Sequence, residues 1–108
     1  MGYVKTSKHI DRQIIYMAME EELSNPFRTK SKTMGAFSTE EKAKNYVKRY
    51  IRKNHLTKID DAYGGIYTSE YLPFETRYYI EPHEIDVEDG EITLVGYIPI
   101  TFTEEDLG

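Results

Sequence analysis

The sequence predicts an α+β fold, in which a small antiparallel sheet of about four strands packs against one main helix at about residues 39–54. Two observations support this class. Four segments are rich in apolar, β-branched or aromatic residues and are bounded by turn residues. One further segment places apolar residues at helical spacing after a capping residue. For a chain of 108 residues, we expect a single domain over residues 1–108, with loose termini at 1–11 and 103–108.

Two neighbouring segments predict a first hairpin. Residues 12–20, RQIIYMAME, form a continuous apolar run of strand length. Residues 28–37, RTKSKTMGAF, begin with alternating basic and small polar residues, which predicts a strand that is solvated or at the edge of the sheet. We expect the two strands to pair antiparallel across a loop that contains Asn25 and Pro26.

The helix that follows has the clearest pattern. Ser38 is predicted as its N-cap, and Glu41 three residues later completes a capping box. Acidic residues near its start and basic residues near its end suit the helix dipole. One apolar stripe should pack on the sheet, and its members are Ala43, Tyr46, Val47, Tyr50 and Ile51.

The second half of the chain predicts two more strands. Residues 56–76 lack clear periodicity and are broken by glycine and proline. Residues 77–87 read as a strand in which Pro82 indicates an edge position or a bulge. Asp89 and Gly90 form a good hairpin turn, and residues 92–102 supply the returning strand.

One stretch of this pattern resembles a family of domains. The segment GAFSTEEKAKNYVKRY follows an apolar strand and a polar turn, and YYIEPHEID comes later. This is similar to small uncharacterised phage and prophage domains, in which a G-x-F-S-x-x-E-x-A turn leads from a hairpin into a helix and an aromatic-rich strand follows. The resemblance extends over residues 12–87. It implies an α+β fold and a phage or mobile-element origin, and it carries no activity or functional residues.

Charge is divided unevenly along the chain. Residues 1–58 hold 13 Lys/Arg and 6 Asp/Glu, a balance of +7, whereas residues 59–108 hold one Lys/Arg and 13 Asp/Glu, a balance of −12. Such a division suits two separate faces for two partners. It also suits a fold in which the two halves interleave and compensate each other's charge. Both interpretations stay open at this point.

Several classes of function lack their usual signatures. The chain has no cysteine, and no apolar run approaches the roughly 20 residues of a membrane span, so we expect a cytoplasmic protein without a membrane partner. Glu81 and His83 share one strand face, but two ligands do not make a metal site. No nucleophile elbow or phosphate loop is present. We therefore predict no enzymatic activity, no cofactor and no metal.

Protein binding suits the composition best. Ten tyrosines in one small chain are typical of an interface, where tyrosine is enriched. The hypothesis is a module, of the inhibitor or nucleic-acid mimic type, that binds a host or phage protein through an acidic, tyrosine-rich surface. Its predicted contact residues are Tyr78, Tyr79, Glu81, Glu84, Asp86 and Glu88.

Two alternatives remain. A basic face of the helix is a candidate for nucleic-acid binding, and its residues are Lys48, Arg49, Arg52 and Lys53. A pocket lined by Tyr63, Tyr67 and Tyr71 is a candidate for binding a small molecule.

Overall fold

The computed structural model describes residues 12–23, 30–70 and 74–107, in which an antiparallel sheet lies against one long helix. The elements in chain order are β1 Arg12–Glu22, β2 Lys30–Phe37, α1 Glu40–Lys53, β3 Thr57–Asp60, a 3-10 turn Ala62–Gly64, β4 Ile66–Thr68, β5 Thr76–Asp86, β6 Ile92–Leu94, β7 Ile98–Pro99 and α2 Glu104–Leu107. The α+β class is confirmed, but the sheet has seven strands in these ranges where about four were predicted.

The centre of the sheet is the pair β1 and β5. The strand order is β2-β1-β5-β4-β3, and β6 and β7 also pair with β5. The β1–β5 ladder runs from Arg12 opposite Asp86 to Glu22 opposite Thr76 without a register shift. β2 pairs antiparallel with β1 and lies at the edge, as its lysines predicted. The loop at Asn25 and Pro26 lies outside the described residues.

Helix α1 covers one face of this sheet. Ala43, Val47 and Ile51 are buried, and the tyrosines of the predicted stripe pack half-buried against the same core. The predicted cap is wrong by one residue, because Thr39 has the extended N-cap backbone and its Oγ1 accepts a hydrogen bond of 3.1 Å from the Lys42 amide. Ser38 instead accepts a hydrogen bond from the Lys42 side chain.

The strands of the sheet have an inner face toward α1 and an outer face away from it. Ala18, Tyr78 and Ile80 belong to the same buried cluster as the helix stripe, so they define the inner face. Side chains alternate between faces along a strand, and the register places Met19 opposite Tyr79. These two residues therefore lie on the outer face.

The segment at residues 56–76 holds two strands that the sequence pattern did not reveal. β3 and β4 pair with each other, and β4 joins the sheet through β5. They have four and three residues, too few for an alternating pattern to be recognised. Tyr67 of β4 is in the core cluster, which ties this segment to the main fold.

Pro82 lies inside a central strand, which contradicts its expected place at an edge or bulge. The Pro82 carbonyl accepts a hydrogen bond of 3.0 Å from the Val95 amide, so it points away from β1. The amide nitrogen and the carbonyl of one residue in a strand point to the same side, so the ring nitrogen of Pro82 faces away from β1 as well. On that side β5 meets β6 and β7 in separate pieces. The missing donor therefore falls at a break in the ladder.

The predicted strand at residues 92–102 is divided, and the chain end after it is helical. β6 and β7 are separated by residues 95–97, where a Cβ on Gly96 would lie 3.2 Å from Cγ of Pro82. The expected loose end is instead helix α2, which begins with a reciprocal cap between Thr103 and Asp106. Leu107 packs against the core cluster.

Candidate functional site

The β5–β6 hairpin presents its acidic residues on a well-defined turn. Gly90 has a φ of 74° and its amide donates a hydrogen bond of 2.7 Å to the Asp86 carbonyl. The Asp86 carboxylate accepts hydrogen bonds from the amides of Glu88 and Asp89. Asp89 in turn accepts one of 3.0 Å from the Glu91 amide. These contacts fix the turn and leave the carboxylate of Glu88 exposed.

Exposed apolar side chains lie beside these acids. Val87 is 55 % exposed, Ile92 64 %, Leu94 54 % and Val95 48 %. They form more than half of the large hydrophobic side chains that are exposed in the described residues. All four belong to one hairpin, in which Ile92 and Leu94 share one strand parity and Val95 has the other, and a concentration of exposed apolar groups in one element is typical of an interaction site. We call this set the hairpin surface, and its members are Val87, Glu88, Asp89, Glu91, Ile92, Leu94 and Val95.

The predicted contact residues do not lie on one surface. Tyr78 is 2 % exposed and belongs to the core, so it presents nothing to a partner. Tyr79 and Glu81 lie on the outer face, whereas Glu84 and Asp86 have the opposite parity in β5. Only Glu88, of the predicted set, is a member of the hairpin surface.

Tyr79 is enclosed by an arginine-centred cluster on the outer face. The Arg77 guanidinium binds the Glu21 carboxylate and the Tyr97 hydroxyl, and it lies 4.9 Å from the centroid of the Tyr79 ring. Burial alone would lower the pKa of Arg77, but its hydrogen bonds to Glu21 and Tyr97 raise it overall. The Tyr79 hydroxyl donates to Ser31 of β2 at 3.2 Å. This cluster joins three strands and leaves Tyr79 only 5 % exposed.

A second polar cluster is buried on the inner face around Glu20. Its carboxylate accepts a hydrogen bond of 2.8 Å from the Tyr78 hydroxyl and lies 3.5 Å from the Lys32 ammonium. The Thr76 hydroxyl donates to the same Tyr78 oxygen at 3.1 Å. Burial, then the charge of Glu20, raises the pKa of Tyr50. These partners account for the burial of Glu20, a residue that is only 8 % exposed.

Helix α1 divides the predicted nucleic-acid residues between its two flanks. Arg49 and Lys53 line a groove together with Tyr46, Tyr50 and Asn54. Lys48 and Arg52 project on the other side of the buried stripe, because a helix advances about 100° per residue. Lys48 is close enough to Asp106 of α2 to help lower the pKa of that carboxyl, after the hydrogen bonds from Thr103.

Few of the described ion pairs join the basic half of the chain, residues 1–58, to the acidic half, residues 59–108. Arg77 with Glu21 joins a residue of each half, and Lys58 with Asp61 joins neighbours across the boundary. Lys32 and Lys44 pair with acids of their own half. Within the described ranges, no ion pair links α1 to the carboxylates of the hairpin surface.

The middle residue of the predicted small-molecule pocket, Tyr67, is buried in the core. Tyr67 is 1 % exposed and its ring packs 5.7 Å from that of Tyr78. Burial raises the pKa of Tyr67 to about 12. The side chains of Tyr63 and Tyr71 lie outside the described residues.

The described ranges hold no cluster of metal ligands and no helix that could span a membrane. His83 Nε2 lies 3.2 Å from Glu81 Oε1. No group of three potential metal ligands occurs in residues 12–23, 30–70 and 74–107. No helix in the same ranges has the length and apolar character needed to cross a bilayer. Comparison of the chain with protein-family models, with curated proteins and with solved structures gives no match in any of the three.

Proposed function

We propose that this chain is a small protein-binding module, active in the cytoplasm on a host or phage protein, and that the hairpin surface is its contact site. The observation that carries this proposal is the juxtaposition of exposed Ile92 and Leu94 with the acidic turn at Glu88 and Asp89. Burial of the apolar side chains supplies the free energy of association. The carboxylates select a partner of opposite charge and speed its encounter.

The partner is a protein with a basic surface that also contains an apolar pocket. A groove that binds nucleic acid has such a surface, so the module acts as an inhibitor or nucleic-acid mimic if it occupies one. Tyrosine contributes less to the contact than its abundance predicted, since Tyr78 and Tyr79 are 2 % and 5 % exposed. The acidic part of the predicted surface is retained through Glu88, together with Asp89 and Glu91.

The test uses the immobilised chain as bait in nuclease-treated lysate of the natural host. A variant with Glu88→Lys and Asp89→Lys should lose a captured protein at least about tenfold, because two rim charges of the wrong sign repel a basic partner. An Ile92→Ser and Leu94→Ser variant should lose it as well. The matched control, Glu70→Lys with Glu75→Lys, makes the same change in net charge at exposed positions away from the hairpin and should keep it.

The proposal fails if the hairpin variants retain the captured protein as well as the control does. It also fails if a protein is captured only from a parallel lysate that has not been treated with nuclease. Purified partner and wild-type chain should then reproduce the interaction, with an association rate that falls as salt is raised.

A second function is favoured by the groove on α1, where two cations and two aromatic rings lie together. Single-stranded nucleic acid binds to such surfaces, because bases stack on aromatic rings and phosphates pair with cations. Fluorescence anisotropy of a labelled oligonucleotide tests this function. Arg49→Glu with Lys53→Glu should abolish binding, and the control Lys48→Glu with Arg52→Glu should leave most of it. Equal loss in both variants would indicate non-specific attraction to a basic helix.

A further inference from the structure

Strand β6 has one edge paired with β5 and one edge free of any described strand. The amide of Asp86 donates to the Glu91 carbonyl, and the amide of Val95 donates to the Pro82 carbonyl. Hydrogen-bonded positions alternate along an antiparallel pair, so Glu91, Thr93 and Val95 face β5. The amides and carbonyls of Ile92 and Leu94 therefore point to the free edge.

The free edge of β6 lacks the lysines that protect the edge strand β2. β2 places Lys30 and Lys32 along its strand, and lysine discourages unwanted strand pairing. β6 reads Ile-Thr-Leu, and all three residues are exposed. An uncharged, exposed edge with unsatisfied backbone groups is a template for another strand.

We propose that the free edge of β6 pairs with β6 of a second copy of this chain, antiparallel and centred on Thr93. In this register Ile92 lies opposite Leu94 of the second copy, and Leu94 lies opposite its Ile92. Both residues already point their backbone groups to the free edge, so each pair exchanges two hydrogen bonds. Thr93 faces its own counterpart across the two-fold axis, as the non-hydrogen-bonded pair.

The charges of the hairpin are compatible with this register. Glu91 falls opposite Val95 of the second copy and Asp89 falls opposite Tyr97, so no carboxylate faces another carboxylate in the ladder. A register centred on Ile92 pairs Ile92 with its own copy but places Leu94 opposite Gly90, and a register centred on Leu94 likewise places Ile92 opposite Gly96, so each keeps only one apolar pair. Cross-strand apolar pairs and threonine pairs stabilise antiparallel strands, which favours the register centred on Thr93.

The dimer uses the backbone edge of β6 and leaves its outer face open. The side chains of Ile92 and Leu94 share that face with Ile85 and His83, to which β6 is paired. Two copies side by side therefore present one wider apolar surface. Pairing between copies is compatible with the partner binding proposed above and does not depend on it.

Each chain carries a net charge of −5, so two copies repel each other at long range. Salt screens this repulsion. The dimer should therefore strengthen as ionic strength rises, whereas binding of a basic partner or of nucleic acid should weaken. The opposite responses to salt separate self-association from both functions proposed above.

The experiment is sedimentation of the purified chain over a range of concentrations at low and high salt. The wild type should shift from monomer to twice the monomer mass as concentration rises. Thr93→Asp and Thr93→Lys each place like charges face to face at the axis and should both be monomeric. An equimolar mixture of the two variants should recover the dimer, which a misfolded variant would not do.

Disulfide trapping tests the register itself, because the chain has no cysteine of its own. Thr93→Cys should cross-link to itself on oxidation, since facing residues of a non-hydrogen-bonded pair lie about 4.5 Å apart between Cα atoms. Glu91→Cys is the control, with its two copies roughly 14 Å apart in this register. A wild type that stays monomeric at every concentration and salt overturns the proposal. So does a Thr93→Asp variant that dimerises as well as the wild type.

Discussion

The hydroxyl of Tyr78 donates a hydrogen bond of 2.8 Å to Glu20, and both residues are buried in the sheet interior. Tyr67 packs its ring against Tyr78, yet its hydroxyl is buried with no hydrogen-bond partner in the described residues. Two neighbouring tyrosines of the same core thus differ in whether their polar atom is satisfied. The two hydroxyls therefore contribute differently to the free energy of unfolding, because a buried polar group without a hydrogen bond is costly.

Removing the two hydroxyls should have unequal effects on the free energy of unfolding. Tyr78→Phe should destabilise the fold by about 1.5–3 kcal/mol, since it removes a partner from a buried carboxylate. Tyr67→Phe, the matched control, should change stability by less than about 0.5 kcal/mol or increase it. Urea unfolding of the three proteins measures both values. Equal destabilisation by the two substitutions would contradict this account of the core.

Alkaline pH should destabilise the protein through the same tyrosines. Burial raises the pKa of Tyr67 from 10.0 to about 12, and burial followed by the charge of Glu20 also raises the pKa of Tyr78. The unfolded chain releases these protons near pH 10, whereas the folded chain retains them. Their contribution is therefore constant below pH 10 and is lost as pH rises above it, by about 1.4 kcal/mol per pH unit for each group.

Urea unfolding on both sides of pH 10, with tyrosinate absorbance recorded in parallel, measures this effect. Tyr67→Phe should reduce the slope of stability against pH by about one proton. A stability that stays level from neutral pH to pH 11 would rule out the protonated, buried state of these hydroxyls.

Two glycines with left-handed backbones offer a second matched comparison. Gly90 has a φ of 74° and no atom within 4 Å of an added Cβ, whereas Gly64 has a φ of 87° and the added Cβ would lie 2.7 Å from the Ile100 carbonyl oxygen. Gly90→Ala should lower the free energy of unfolding by about 1 kcal/mol, which is the cost of a left-handed backbone at a residue other than glycine. Gly64→Ala should lower the free energy of unfolding by more than about 2 kcal/mol, because steric overlap of the new Cβ with the Ile100 carbonyl is added to the same backbone cost. Thermal unfolding distinguishes the two, and a larger loss at Gly90 would be inconsistent with the described turn.

The ion pair between Arg77 and Glu21 should contribute more than a surface pair. Its side chains are 15 % and 14 % exposed, whereas those of Lys44 and Glu40 are 41 % and 42 % exposed. A double-mutant cycle with Arg77→Met and Glu21→Gln should give a coupling energy of about 1–2 kcal/mol. The equivalent cycle with Lys44→Met and Glu40→Gln should give about 0.3–0.5 kcal/mol. Comparable values in both cycles would show that the outer-face cluster is not a structural anchor.

Long patterned elements of this fold could be predicted from the sequence, whereas short ones could not. Helix α1 has a stripe of five apolar positions with charges arranged along the dipole, so its period is clear. β3 and β4 are too short to show one. Ser38 and Thr39 are adjacent and chemically equivalent as caps, and only the backbone of Thr39, which is extended, distinguishes them.

The candidate site was predictable only in part for a related reason. Tyr78 and Tyr79 are consecutive in β5 and must face opposite sides of the sheet, but no residue pattern indicates that both sides are covered. β6 and β7 read as one apolar strand, which is typical of a core. In the structure Ile92 and Leu94 are exposed instead, and none of the helices in the described ranges packs on the outer face of β5 at this end. Only the assembled sheet shows this.

The pairing of β1 with β5 also governs when the protein folds during its synthesis. Glu22 pairs with Thr76 and Arg12 with Asp86, so the paired residues are 54 to 74 positions apart. Until β5 has been synthesised, β1 has one unpaired edge, and α1 has an incomplete surface to cover. The nascent chain is therefore most vulnerable to aggregation in this interval. Completion of β5 ends that interval by closing the centre of the sheet.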